Sequence, residues 1–257
     1  LLLDVIPLSL GVEAKGGIMS KIIEKNTQIP IKMKKMYSTS EDRQTNVEIK
    51  VFEGEREFVC NNHKIGVFEL IDIPKLPRGV PKIEICFDVD SNGILSIYAT
   101  ELNSGVNNKI IISDTTKLSQ EEINRMIEEA ERFRADDEIK KFAMNAKNSY
   151  DKYLSEIQRI INDPELTIDD EGNSIFTESE LIMLNKSVIS NITWLDDDTE
   201  YRLTKETIEN ARSTFEHSIK QYLNHIYLRK QQIELRNTFI KEEKEENIND
   251  IINSLDE

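Results

Sequence analysis

Cysteine, tryptophan and histidine are scarce in this chain of 257 residues, which holds two, one and three of them. Cys60 and Cys86 make no disulfide framework, as expected of a reducing, cytoplasmic setting. His63, His217 and His225 are scattered, and no Cys-x-x-Cys exists, so no zinc pattern is present. Gly16-Gly17 is isolated from any helix pattern, which leaves no phosphate-cradling loop of the P-loop or dinucleotide type. A nucleophile elbow is also missing. These absences predict a chain with no catalytic site, no metal and no cofactor of its own. No apolar run approaches the roughly 20 residues of a membrane span. Basic residues are too few to balance the acids, and the net charge is −15. Residues 1–117 carry 15 Lys/Arg against 16 Asp/Glu, and the remainder carries 18 against 32. An acidic surplus of that kind repels phosphate backbones, which argues against nucleic-acid binding. It reads most simply as the solvated faces of helices.

Glycine and proline divide the chain. Eight of nine glycines and five of six prolines precede residue 106. Short apolar runs separated by turn residues fill that half: Ile18–Ile23, Ile29–Met33, Val47–Phe52, Ile65–Leu70, Ile83–Val89, Ile94–Ala99 and Lys109–Ile112. Asp90-Ser91-Asn92-Gly93 between two alternating runs predicts a tight hairpin, because Asn-Gly tolerates positive φ. Seven or eight strands at this spacing predict a β-sandwich. The second half has helical spacing. Ser119-Gln120-Glu121-Glu122 and Thr177-Glu178-Ser179-Glu180 are capping boxes. Apolar stripes follow through Ile161, where Asn162-Asp163-Pro164 stops the pattern, and through Leu195. The first helix is expected to change direction near Ala135-Asp136. A third helix over Ile208–Ile226 and a fourth over Gln231–Leu255 complete an expected bundle. The fold class is therefore a β-sandwich followed by an all-α region ending in a helix bundle.

Several motifs carry a family resemblance. Leu1-Leu2-Leu3-Asp4 followed by Val5-Ile6-Pro7-Leu8-Ser9-Leu10-Gly11 resembles the interdomain linker and first strand of the seventy-kilodalton heat-shock chaperones, the DnaK-type family. Lys25-Asn26-Thr27-Gln28-Ile29-Pro30, the Gly54-Glu55-Arg56 strand end and Pro77-Arg78-Gly79-Val80-Pro81 are similar to further blocks of it. So are Phe87-Asp88-Val89-Asp90-Ser91-Asn92-Gly93-Ile94-Leu95 and Leu118-Ser119-Gln120-Glu121-Glu122-Ile123. Ile192-Thr193-Trp194-Leu195-Asp196 resembles the lid bundle of eukaryotic cytosolic members. The resemblance implies a linker end at 1–4, a peptide-binding sandwich at 5–117 and a helical lid and bundle at 118–257.

The family's functional residues carry over by position. The pocket for a leucine-like side chain falls on Val12, Tyr37, Val47, Ile49 and Ile83. Without the resemblance, β-branched residues on a strand face would be read as core filling. The arch over a bound peptide falls on Lys15 and Ser40, where the family has apolar or aromatic residues. The latch pairs Arg78 with Asp151 and Asp42 with Arg159, while Leu1, Leu2, Leu3 and Asp4 form the linker. The implied function is a non-enzymatic chaperone module for extended hydrophobic segments of unfolded polypeptides. ATP would be handled by a domain of the parent family outside this sequence. J-domain co-chaperones and nucleotide exchange factors are implied through that parent, with no nucleic acid or membrane partner. Linker leucines seated in a neighbour's groove, or the lid, offer a route to self-association. Two other readings are a holdase or exchange-factor relative, and a scaffold for one dedicated partner. The direct step from Ile112 to Leu118 lacks the long acidic insertion of the large relatives and disfavours the former.

Overall fold

The computed structural model describes residues 4–112, 118–198 and 202–255, with side chains described through Thr238. It divides the chain into two compact units, residues 1–142 and 143–257.

The first unit holds eight strands: β1 Leu10–Ala14, β2 Ile18–Ile23, β3 Ile31–Tyr37, β4 Val47–Glu53, β5 His63–Leu70, β6 Ile83–Val89, β7 Leu95–Glu101 and β8 Asn107–Ile112. They form two antiparallel four-stranded sheets, ordered β2-β1-β4-β5 and β3-β6-β7-β8. Inward residues of both sheets share one buried cluster that includes Val12, Ile23, Val51 and Leu70 from one sheet and Ile85, Phe87, Leu95 and Ile97 from the other. This is the sandwich expected from the alternating runs.

The turns follow from their residues. Asp90 closes the β6–β7 hairpin, its carboxylate accepting from the Asn92 and Ile94 backbone N–H groups at 2.8 and 2.9 Å, and Gly93 takes φ 80°. The Ile94 hydrogen bond, with those around it, holds the Asp90 carboxyl below its usual value. Glu101 is fully buried at the start of the β7–β8 turn. Burial pushes its carboxyl up, but hydrogen bonds from Ser104, Lys82 and Asn103 outweigh that and leave it below the ordinary value. At Gly11 a Cβ would collide with the backbone carbonyl of Ser20 across the β1–β2 ladder, so only glycine fits this close approach.

The helices are α1 Gln120–Ile161, α2 Pro164–Thr167, α3 Glu178–Asp196 and α4 Lys205–Leu255. Helix α1 begins after the Ser119 cap and runs without a break through Ala135-Asp136. It stops at Ile161; Asp163 then caps the short α2, whose first residue is Pro164. At α3 the Thr177–Glu180 capping box forms in full. The expected third and fourth helices are one helix, α4. No proline, glycine or capping residue separates Ile226 from Gln231, so nothing in Tyr227-Leu228-Arg229-Lys230 ends the hydrogen-bond ladder. In the second unit Tyr150, Leu154 and Ile157 of α1 pack with Leu184 and Val188 of α3 and Ile208, Phe215, Ile219 and Tyr222 of α4. The one polar atom that Tyr150 brings into this core is satisfied, its hydroxyl donating to Asn191 Oδ1 at 2.8 Å.

Candidate functional site: the β2/β3 seam and its flanking loops

The two sheets meet along two seams. At one, β5 and β8 lie in close contact, Asn108 Nδ2 donates to the Glu69 carbonyl at 2.7 Å, and Gly66 sits under Ile112 and Ile110. At the other, β2 and β3 touch far less. Two side-chain ties join them: the Ser20 and Tyr37 hydroxyls at 2.9 Å, and Lys35 Nζ to the Lys21 carbonyl at 3.2 Å. Strand β3 is an edge strand with five exposed residues in succession, Lys32-Met33-Lys34-Lys35-Met36. Such an edge is protected from pairing with other chains by its lysines. Lys32 and Lys34 bond Asp88 and Glu84 across the ladder, each at 2.8 Å.

The five pocket residues all belong to, or pack against, the core between the sheets. Val12 on β1, Val47 and Ile49 on β4, and Ile83 on β6 belong to one apolar cluster with Tyr37 of β3. Tyr37 lies directly opposite Ile83, and Val12 directly opposite Ser20. Val12, Ile49 and Ile83 are only 2, 3 and 1% exposed, so they fill the core in this state. Tyr37 and Val47 are half-buried and are the members of the set that retain surface.

Loops beside the seam carry the remaining residues. Lys15 is exposed on the β1–β2 turn, which Gly16 and Gly17 form with positive φ. Ser40 is exposed on the β3–β4 loop. Gln44 braces that loop: its Oε1 accepts from the Ser40 backbone at 3.0 Å, and its Nε2 donates to the Asn46 carbonyl at 2.9 Å. The structure brings Asp42 and Arg78 together, with the Arg78 backbone N–H donating to Asp42 Oδ1 at 2.8 Å. Arg43 N–H to Leu76 O and Gly79 N–H to Thr39 O fasten the same two loops. Their expected partners, Asp151 and Arg159, stand about 12 Å apart along α1 in the second unit. Leu1, Leu2 and Leu3 lie outside the described residues; Asp4 is exposed, and its carbonyl accepts from Ile29 N–H at 3.1 Å.

The sequence reading missed a clamp inside the first unit. Arg56 grips Asp137 of α1 with two parallel hydrogen bonds, Nε to Oδ2 at 2.6 Å and Nη2 to Oδ1 at 3.0 Å. The side chains are 13 and 5% exposed, and the Arg56 guanidinium covers the Phe133 ring at 4.5 Å. The Arg56 hydrogen bond holds the Asp137 carboxyl below its usual value against the opposing effect of burial. One residue on, Glu57 pairs with Lys141 at 2.6 Å. A charge code was available: Arg56-Glu57 is plus-minus, while Asp137 and Lys141, one helical turn apart, are minus-plus.

A separate cavity of about 240 Å³ is lined by Val5, Pro7, Leu10, Ile29, Leu95 and Ile123, among others, and by none of the five pocket residues. Among the described residues, no group of three or more His, Cys, Asp or Glu side chains is placed to hold a metal. No helix among them is long and apolar enough to cross a membrane.

Comparison with known proteins gives a consistent result. The family profile described as Hsp70 protein matches residues 1–228. A heat shock 70 kDa protein of Trichophyton rubrum is 42% identical over 217 residues, which is 84% of this chain and 32% of that protein. Heat shock 70 kDa protein 2 of Paracoccidioides lutzii gives the same identity and coverage. A heat shock 70 kDa protein of Penicillium citrinum is 42% identical over 198 residues, 77% of this chain and 38% of the other. The chain spans about a third of the length of the curated relatives it matches.

Proposed function

We propose, from the premise that this chain belongs to the Hsp70 family, that it is a chaperone's substrate-binding module. Its sandwich takes an extended, hydrophobic segment of an unfolded polypeptide, and its helices regulate how long that segment stays. One observation carries the reading: Tyr37, opposite the buried Ile83, keeps surface at the loosely tied β2/β3 seam, where its hydroxyl meets that of Ser20, opposite the buried Val12. A leucine-like side chain entering there displaces Tyr37 and Val47, the two pocket residues that keep solvent contact. Burying that side chain contributes about 1.5–3 kcal/mol. Main-chain hydrogen bonds, each about 1 kcal/mol net, are indifferent to sequence and give generality. After ordering costs, affinity near micromolar follows, about −8 kcal/mol.

Lys15 and Ser40 form the rim over the bound segment, and the lysine favours acidic flanks. The weak latch that the resemblance implies falls on Arg78 with Asp151 and on Asp42 with Arg159. Exposed pairs of this kind are worth about 0–1 kcal/mol, weak enough for reopening. Leu1–Asp4 couple the module to an ATP-handling domain, through which J-domain proteins and exchange factors act. The chain itself carries out no covalent chemistry.

The test is a fluorescent heptapeptide with a central leucine. The parent chain binds it saturably near micromolar, and Val47→Phe, which fills the pocket, weakens binding roughly 10- to 100-fold, equivalent to the lost side-chain burial. Equal binding by Val47→Phe, or no binding to several such peptides, favours the scaffold reading instead.

A further inference from the structure

Two hydroxyls sit at the edge of the apolar cluster, which is an unexpected place for them. Ser20 is directly opposite Val12, and Tyr37 is directly opposite Ile83. Residues paired this way in antiparallel strands share a face of their sheet. All four therefore point into the space between the sheets, where Val12 and Ile83 are buried. The Ser20 and Tyr37 hydroxyls meet at 2.9 Å, and either can donate. Their bond links β2, the edge of one sheet, to β3, the edge of the other. Burial pushes the Tyr37 phenol up, with the Ser20 bond pulling the other way. The phenol stays neutral and keeps both its donor and its acceptor at physiological pH.

We propose that the Ser20–Tyr37 hydroxyl pair is a specificity-determining gate, which narrows the preference of the apolar cluster for purely aliphatic side chains over those carrying a hydroxyl. The inference rests on the peptide-binding reading above. An incoming side chain has to move the Tyr37 ring, because Val12, Ile49 and Ile83 have no free surface. Moving the ring breaks the only hydrogen bond described for either hydroxyl. A leucine then leaves two hydroxyls in an apolar setting without partners, which is costly. A threonine restores a partner to one of them while still burying its methyl group. A site built around a hydroxyl distinguishes such pairs more sharply than a purely apolar pocket can.

The experiment uses the full chain and two labelled heptapeptides that differ only in a central leucine or threonine. Tyr37→Phe removes the phenolic oxygen and keeps the ring. It is expected to tighten binding of the leucine peptide about fivefold to tenfold, the scale of one relieved buried polar group. The threonine peptide gains little or weakens, so the leucine-to-threonine affinity ratio rises. Ser20→Ala moves the ratio the same way. The double variant goes less far than the product of the single effects, because either change alone already abolishes the bond. Ser20→Thr keeps a hydroxyl and retains the parent ratio, which a merely structural role for residue 20 would not require. Saturable binding of both peptides by the parent, with a ratio unmoved in Tyr37→Phe and Ser20→Ala, overturns the gate and leaves the peptide-binding reading standing. A Ser20→Thr chain that behaves like Ser20→Ala also overturns it. A parent that binds neither peptide removes the binding reading and the gate together.

Discussion

The two seams of the sandwich solve one problem in opposite ways. The β5/β8 seam is shut by apolar packing, with a glycine under two isoleucine side chains and an asparagine amide laid on the neighbouring backbone. At the β2/β3 seam, two side-chain hydrogen bonds span edges that otherwise make little contact. Packing that excludes water is expensive to open, because each separated apolar surface loses its contacts and its burial. A hydrogen bond to a hydroxyl or an ammonium is replaced by water at modest net cost while the seam stands open, and becomes costly only where an apolar group then shuts the water out. The difference assigns the seams different work: one holds the sandwich together, and the other can yield without unfolding it.

That contrast can be sharpened or broken by experiment. The largest effect calibrates the scale and touches neither seam. Asp137→Ala leaves Arg56 buried without its carboxylate, and at pH 7 it should cost the first unit about 3–5 kcal/mol in chemical denaturation. Asp137 has a folded value below its unfolded one, so its contribution is present above about pH 4 and is lost as pH falls through the folded value. The gap between parent and Asp137→Ala should therefore be constant from pH 8 to 5 and shrink below pH 4. A gap that widens on acidification contradicts the clamp. Next in size, Gly66→Val places new atoms against Ile112 and Ile110 and should cost about 1–3 kcal/mol by overpacking, with peptide affinity unchanged. If Gly66→Val alters affinity as much as stability, the two seams are not functionally distinct. The smallest effects belong to the outer face. Lys32→Ala and Lys34→Ala should leave the unfolding midpoint within error of the parent, since these exposed pairs are screened by water. A large loss there would mean that the β3 edge depends on its lysines for more than solubility.

Much of this architecture is legible in the residues. Ile18–Ile23 and Ile83–Val89 coincide with β2 and β6 because each run is bounded by turn chemistry. The hairpin at Asp90–Gly93 and the capping box at Thr177 follow their local signals to the atom. Strand β3 departs from the expected Ile29–Met33 because it is an edge with both faces wet, so no alternation marks its course through Lys34-Lys35-Met36. Helix α4 departs because a bundle helix needs a breaker to end, and a change of spacing between Ile226 and Gln231 supplies none. The site splits in the same way. Resemblance alone singles out Val12, Tyr37, Val47, Ile49 and Ile83; in the structure all five belong to the sandwich core or pack against it, along with its other inward residues. Their burial could not be read beforehand, because β-branched residues on an inner face look alike whether they line a groove or fill a core. The Ser20 partnership was invisible for another reason: Ser20 and Tyr37 belong to different sheets, and no pattern along the chain relates them.

The Arg56–Asp137 clamp has a consequence for how the protein is made. Its two ends are 81 residues apart, and those of the companion Glu57–Lys141 pair are 84. A chain emerging from the ribosome exposes all eight strands before it delivers either helical partner. Any sandwich that assembles before then does so with Arg56 still hydrated, and α1 fastens onto it afterwards. Contacts of such long sequence separation close late. For a sandwich formed that early, the time taken to synthesise residues 120–141 is time spent with its loose seam available and its first helix unsecured.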